Sequence, residues 1–276
     1  GGKMQLSYSR VSAWKNCRRA YYYSYDLKLE PKITKPELTL GKSIHNALAE
    51  FYSLEPCSRT KLILDTTYEN SMHKSLEELE LFKGGLETKD RESFTKNIEK
   101  GRLWLNSYWD KYNVDDCIPK AITEQTMEFT LDDIVFVIRP DAIINRDDGV
   151  WIWENKTGNP DMQQLLMEDE QSLYYAFGLR QLSYPVKGVI YNLISNPTRI
   201  SDGLEREEIE RTDIELAGIG DEIKQIASEI QTLPRYPNRG FSCKFCSFRE
   251  LCYAEWAGGD VQWLISKDFQ AKGNHV

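Results

Sequence analysis

Two groups of residues in this 276-residue chain have types and spacing that suit chemistry. Asp141, in "IVFVIRPDAII", is followed thirteen residues later by Glu154 and then by Lys156 in "GVWIWENKT". Both stretches are β-branched and aromatic, and they meet at "NRDDG", where Asp148-Gly149 signals a hairpin. With an even loop, Asp148-Gly149 or Asp147-Asp148, odd positions on the first strand face even positions on the second. Asp141 then lies opposite Glu154 or Lys156, and all three share one sheet face. A three-residue loop would break that relationship. Two acids and a lysine on one face are costly unless something uses them. A divalent cation between Asp141 and Glu154, with Lys156 alongside, satisfies all three, and hard oxygen ligands suit Mg²⁺ or Mn²⁺. The plain alternative is an exposed hairpin with a surface salt bridge.

The second group is "SCKFCSFRELC", in which Cys243, Cys246 and Cys252 stand at C-x2-C-x5-C. Thiolates so spaced hold a metal, and three are one short of the usual four. Six cysteines in a chain this long do not make a disulfide framework, so a reducing compartment with a metal site is the better reading. Cys57 and Cys117 have no partner at metal spacing and read as free thiols, and His73 and His275 read as surface residues.

The elements that must position these groups fall into sequential blocks. Residues 5–120 read as mostly helical: "SYSRVSAWKNCRRAYYYSYDLKL" has aromatics at helical spacing, "GKSIHNALAEFY" aligns Ile44, Leu48 and Phe51, and "FTKNIEKGRLWLNSYWDKY" is amphipathic. The block 121–235 opens with strands "AITEQTMEFTL", "IVFVIRPDAII" and "GVWIWENKT". It continues with a helix "DMQQLLMEDEQSLYYAFGLRQL", a buried strand "VKGVIYNLI" and an acidic helix near residues 213–232. The acidic run "DGLEREEIERTDIE" reads as a solvated helix face or loop. A cysteine-rich segment 236–257 and a tail 258–276 complete the chain; the leading GGKM is set aside as an appended sequence. No stretch approaches the roughly 20 apolar residues of a membrane span, so a soluble, cytoplasmic protein with no membrane partner is expected. The net charge of −8 argues against a uniformly basic nucleic-acid binder and leaves room for a local basic groove.

These motifs together resemble the PD-(D/E)xK nuclease superfamily, in its RecB-like branch. "RPD" with "ENKTG" is similar to the D…(D/E)xK signature, "GKSIH" to the G-x-x-x-H element that adds a metal-binding histidine, here His45, and "EQSLYYA" to the Q-x-x-x-Y element, here Gln171 and Tyr175. The opening "YSRVSAWKNCRRAYYY" resembles the start of AddB-type nucleases and CRISPR-associated RecB-like exonucleases that carry a 4Fe-4S cluster. The resemblance runs from about residue 7 to 253. Arg18 stands where a proline commonly follows the first cysteine, and Arg139-Pro140 where a glycine often precedes the aspartate.

The resemblance implies an α/β, restriction-endonuclease-like core, a central mixed sheet flanked by helices. It adds a helical N-terminal region and an iron-sulfur clasp in which Cys17 joins Cys243, Cys246 and Cys252. A structural Zn²⁺ on the same four thiolates is the alternative. His45, Asp141, Glu154 and the backbone carbonyl of Asn155 are implied as ligands of Mg²⁺ or Mn²⁺, with Lys156, Gln171 and Tyr175 beside them. The implied activity is exonucleolytic hydrolysis of single-stranded DNA or duplex ends, in CRISPR adaptation, recombinational repair or phage DNA metabolism. A homo-oligomer or a complex with other DNA-processing proteins is compatible with it. Arg10, Lys15, Arg18, Arg19, Lys42 and Arg139 are candidates for phosphate contacts, and Tyr21, Tyr22 and Tyr23 for either base stacking or core packing. A catalytically silent DNA-binding or scaffolding protein that keeps the fold is the competing function.

Overall fold

A computed structural model describes residues 3–32, 36–113, 118–158, 166, 168–197 and 202–273. Cys117 and His275 lie outside them, as does most of the stretch 161–167 from which the helix ending in "FGLRQL" was expected to start. The chain divides into two compact units that cut across the sequential blocks: residues 1–34, 128–137 and 218–276 form one, and residues 35–127 and 138–217 the other.

In the first unit, β1 (Met4–Ser7) pairs in parallel with β5 (Ile134–Ile138), which also neighbours β4 (Met127–Leu131). Met4 is thus a strand residue, although the opening four residues had been set aside. Helix α1 (Tyr8–Asn16) stops at Cys17, whose extended φ of −163° breaks the helical run before α2 (Arg18–Tyr21) and a single π-helical turn, Tyr22–Asp26. A short strand β2 (Leu29–Pro31) pairs antiparallel with the closing strand β10 (Phe269–Ala271). Between them in sequence come α8 (Ile219–Thr232), α9 (Arg249–Ala257) and α10 (Val261–Asp268). Ile219, Ile223, Ile226 and Ile230 recur at helical spacing along α8 and are all buried. Tyr23, Leu29, Phe248, Leu251 and Phe269 form a small separate core, with Phe248 and Phe269 stacked 5.4 Å apart.

The second unit is a five-stranded mixed sheet in the order β3-β6-β7-β8-β9: β3 (Ile122–Thr123), β6 (Ala142–Arg146), β7 (Gly149–Gly158), β8 (Val186–Ser195) and β9 (Leu204–Glu210). Pairing is antiparallel except between β7 and β8. That parallel step needs a crossover, which includes α6 (Glu170–Gln181). Helices α3 (Pro36–Tyr52), α4 (Lys61–Lys83) and α5 (Thr88–Tyr112) share a core with one sheet face, where Ile44, Leu48, Phe51, Tyr108, Trp151, Trp153 and Ile190 are buried together. The Ile44–Leu48–Phe51 stripe read from the sequence is fully inside. No helix among the described residues is long and apolar enough to cross a membrane.

Three expectations need correcting. "IVFVIRPDAII" is two strands in two different sheets, β5 and β6, interrupted at Arg139-Pro140-Asp141, because Pro140 has no N–H to continue a ladder. "AITEQTMEFTL" is likewise split, into β3 and β4, around Glu124 at a positive φ of 52°. The acidic run contains the edge strand β9 rather than a helix or loop. Its charges suit an edge, where one row of backbone groups is unpaired and repulsion discourages further strand addition. A short helix α7 (Asp213–Leu216), closed by a Thr212/Glu215 capping box, then leads toward α8.

Candidate active site

The hairpin β6–β7 turns at Asp147-Asp148, an even loop, with Arg146 paired to Gly149. Gly149 takes φ 137°, and a Cβ there would stand 3.1 Å from the Pro185 carbonyl, so the turn requires glycine. The register Ala142↔Trp153 places Asp141 level with Glu154, and strand alternation puts Glu154 and Lys156 on one side and Trp153 and Asn155 on the other. Pro140, by ending the ladder, leaves Asp141 outside the strand. Its Oδ2 accepts the Asn155 N–H at 2.8 Å, which pins the carboxylate across the hairpin.

His45 arrives from α3, its Nδ1 3.2 Å from Asp141 Oδ2 and 3.3 Å from Oδ1. On the opposite flank Lys156 Nζ donates to Glu154 Oε1 at 2.9 Å and lies 3.4 Å from Gln171 Oε1. Gln171 Nε2 in turn donates to the Tyr175 hydroxyl at 2.9 Å, one turn further along α6. The Glu154 side chain is only 6% exposed and that of Lys156 18%, so this is no surface salt bridge. The Asn155 side chain belongs to the other face, where its Oδ1 accepts from Trp153 Nε1 and Asn192 Nδ2, each at 2.9 Å.

Burial and neighbouring charge set the protonation of the group. Burial pulls His45 down, but the hydrogen bond and charge of Asp141, helped by Glu154 and Glu124, outweigh it and the net shift is upward. Burial pushes Asp141 up, yet His45, the Asn155 N–H and Lys156 prevail and hold its carboxyl below the usual range. Glu154 is pushed up to about 7 by burial and by the Asp141 charge, against the pull of Lys156. Lys156 is raised: burial opposes its charge, but Glu154 and Asp169 favour it more strongly. The two carboxylates are thus driven apart, one ionised and one near neutrality, as acid–base sites require.

Asp169 was not singled out in the sequence. Its carboxylate is 3.6 Å from Lys156 Nζ and accepts from the Tyr191 hydroxyl at 3.0 Å. Behind it Arg211, itself buried, donates to the Tyr191 and Ser172 hydroxyls. An aspartate at the N-cap position immediately before "EQSLYYA" is the one local signal that could have pointed to it.

The other candidates are placed as follows. Lys42 is exposed on α3, and Arg139 pairs with Glu124 at 2.8 Å. In the first unit Arg10 packs over Tyr25, Lys15 pairs with Glu222 at 2.8 Å, Arg18 lies over Trp14, and Arg19 pairs with Glu255 at 3.3 Å. Tyr21 and Tyr23 are buried and Tyr22 half-buried, which makes core packing the role of the first two. His73 is exposed on α4, and Cys57 is exposed and reduced.

Cys17, Cys243, Cys246 and Cys252 line one cavity of about 500 Å³ in the first unit. The Asn238 backbone bridges two of them, its N–H donating to Cys17 Sγ at 3.4 Å and its carbonyl lying 3.9 Å from Cys243 Sγ. Burial raises the Cys246 and Cys252 thiols, and the neighbouring thiols add to both shifts. Among the described residues no three His, Cys, Asp or Glu side chains are grouped closely enough to hold an ion as they stand. The donor chemistry nonetheless fits at both places: four thiols around one cavity, and two carboxylates with an imidazole on one sheet face.

The solved structures that resemble the chain include SSO0001, at 20% identity with a TM-score of 0.35, covering 78% of this chain and 95% of that one. They also include an Eubacterium rectale protein described as a "putative exonuclease", at 16% identity with a TM-score of 0.37, covering 78% and 90%. No curated protein gives a significant match. The family model of the PD-(D/E)XK nuclease superfamily matches residues 5–253, which include the hairpin acids, Lys156 and the mixed sheet that carries them. With its restriction-endonuclease-like α/β fold, the chain belongs to the PD-(D/E)XK nuclease superfamily.

Proposed function

We propose that the protein is a divalent-metal-dependent DNA exonuclease of the RecB-like type, acting on single-stranded DNA or duplex ends. The observation that carries this reading is the convergence of His45, Asp141, Glu154 and Lys156 on one sheet face, with Glu154 buried and Lys156 partly buried. Burying two acids and a lysine together is costly, and a scaffold has no use for the expense.

His45, Asp141, Glu154 and the Asn155 carbonyl would hold Mg²⁺ or Mn²⁺, which when bound supplies Lewis-acid polarisation of the scissile phosphate and a more acidic water. The chain's own groups do the rest. Asp141 is kept ionised by the Asn155 N–H and His45, so it is ready to face a cation. Glu154, titrating near 7, gives up its proton when a positive charge arrives. Lys156 stays cationic and is aimed by Glu154, Gln171 and Asp169, where it can stabilise negative charge developing on the phosphate oxygens. Gln171 and Tyr175 complete the polar wall beside it.

The four thiols of the first unit are the proposed ligands of a structural 4Fe-4S cluster, with Cys17 supplying the fourth bond. A ligand set reaching from residue 17 to residue 243 closes a loop over most of the chain, so the cluster acts as a clasp. The sequential regions 5–120, 121–235, 236–257 and 258–276 then serve as helical support, nuclease core, cluster segment and tail. The same reading carries a setting in CRISPR adaptation, recombinational repair or phage DNA metabolism, and leaves room for self-assembly or partner proteins. The test is digestion of 5′- and 3′-end-labelled single strands and duplexes with Mg²⁺ or Mn²⁺. Stepwise mononucleotide release supports the reading; internal cuts alone, or no cleavage with either metal, would defeat it.

A further inference from the structure

The outer wall of the cysteine cavity carries a second set of groups that the hydrolytic site does not use. Phe241, Phe245 and Trp256 are 78%, 62% and 66% exposed. Phe241 and Phe245 meet edge to face with ring centroids 5.6 Å apart, and Cys243 between them lines the same cavity as Arg239, Arg249 and Trp256. Trp256 lines that cavity, and Phe241 and Phe245 flank its Cys243 on the same short helical turn, Phe241–Phe245. Cations are interleaved with them: the Arg239 guanidinium lies 4.9 Å from the Trp256 ring centre and Lys244 Nζ 5.8 Å from that of Phe245. Arg239, Lys244 and Arg249 have no ion-pair partner among the described residues. Of the two acids in this stretch, Glu255 is already occupied by the Tyr23 hydroxyl at 2.5 Å and by Arg19, and Glu250, which lines the same cavity, offsets one of the three cations. In a chain with a net charge of −8, this is a local surplus of positive charge beside exposed aromatic rings.

From this surface we infer a binding platform for single-stranded nucleic acid, in which bases stack on Phe241, Phe245 and Trp256 while Arg239, Lys244 and Arg249 meet the phosphates. Exposed rings are costly in water, and a polyanion whose every unit carries a π-face complements both halves of the surface. An apolar protein partner would leave the net positive charge uncompensated, and a duplex hides the base faces that the rings would meet. Stacking accepts any base, so binding is largely independent of sequence. The choice of a nucleic acid among polyanions rests on the proposed nuclease function; the platform itself is separable from hydrolysis.

The experiment is fluorescence anisotropy of the full chain with labelled dT20 in EDTA, where no metal-dependent cleavage occurs. The wild type should bind dT20 in preference to a blunt duplex, with a log K against log salt slope of about −2 from three phosphate contacts. Phe241→Leu and Trp256→Leu keep the apolar bulk and remove the π-face, and each should weaken binding roughly tenfold. Phe241→Tyr should bind like the wild type, which separates stacking from damage to the fold. Arg239→Gln should lower the salt slope by about 0.7. Wild-type affinity in both leucine variants, or no binding of dT20 by the wild type, overturns the platform. Binding that follows this pattern in a protein that cleaves nothing would sink the hydrolytic reading and leave the platform standing.

Discussion

The backbone N–H of Asn155 donates to Asp141 Oδ2 at 2.8 Å, so the two arms of the β6–β7 hairpin are tied by the very carboxylate that faces His45. One strand carries Glu154 and Lys156, and the other begins just after the residue that completes the set. That geometry gives the site its ionisation pattern, and several outcomes follow from it.

Metal binding should release protons. Glu154 titrates near 7 and His45 is shifted above its ordinary value, so in acid both must lose a proton before they can act as ligands. Calorimetric titration with Mn²⁺ in two buffers of different ionisation enthalpy should show affinity falling from pH 8 to pH 6. His45→Ala should weaken the ion by about tenfold or more. Affinity independent of pH and of His45 would count against these ligands.

Glu154 should also govern the pH dependence of the metal-free fold. Its folded pKa is raised, so the stability linked to its proton is fully present below its unfolded value of 4.5 and is lost as pH rises through about 7. Glu154→Gln mimics the protonated form and should stabilise the protein at pH 8 by up to about 3 kcal/mol, with no gain below pH 4.5. Thermal melts of both proteins in EDTA across this range measure the difference. A gain of equal size at every pH would contradict the assignment.

Asp169 is read as a positioning residue for Lys156, since its carboxylate stands 3.6 Å from the ammonium and favours the charged form. Asp169→Asn should lower kcat by roughly tenfold with little change in KM, and Asp169→Glu, which keeps the charge, should restore most of the loss. An unchanged kcat in Asp169→Asn, or no rescue by Asp169→Glu, would leave Asp169 with only a structural part in the Tyr191–Ser172–Arg211 network.

The four thiols that share a cavity should yield a brown protein when it is prepared without oxygen, with about four iron and four sulfide per chain. Cys17→Ala should lose the colour and melt several degrees lower, because the clasp between residue 17 and the cysteine-rich segment is gone. A colourless wild type with one zinc would contradict the cluster.

Much of the site could be read from the sequence because strand periodicity is strict. Once the even loop at Asp147-Asp148 is granted, alternation alone puts Glu154 and Lys156 on the side opposite Trp153. The buried strand β8 and the Ile44–Leu48–Phe51 stripe were legible for the same reason, since apolar runs and helical stripes mark burial directly. What periodicity does not carry is pairing. The break at Pro140 and the assignment of β5 and β6 to different sheets depend on which strands β1 and β3 contribute, and β1 begins at a methionine that looks dispensable. The acidic run became an edge strand because β8 offered a free ladder, a fact outside its own composition. Asp169 escaped notice because its role depends on Lys156 and Tyr191, thirteen residues before it and twenty-two after it.

The central claim is that the Asp141–Glu154–Lys156 group hydrolyses phosphodiester bonds. It is tested most directly by the Mn²⁺-dependent rate of nucleotide release from end-labelled single-stranded DNA, comparing wild type with Lys156→Ala and Asp141→Ala at equal folded concentration. The account predicts a wild-type rate that EDTA abolishes and that falls by about a hundredfold or more in each variant. Equal rates in all three proteins would contradict it.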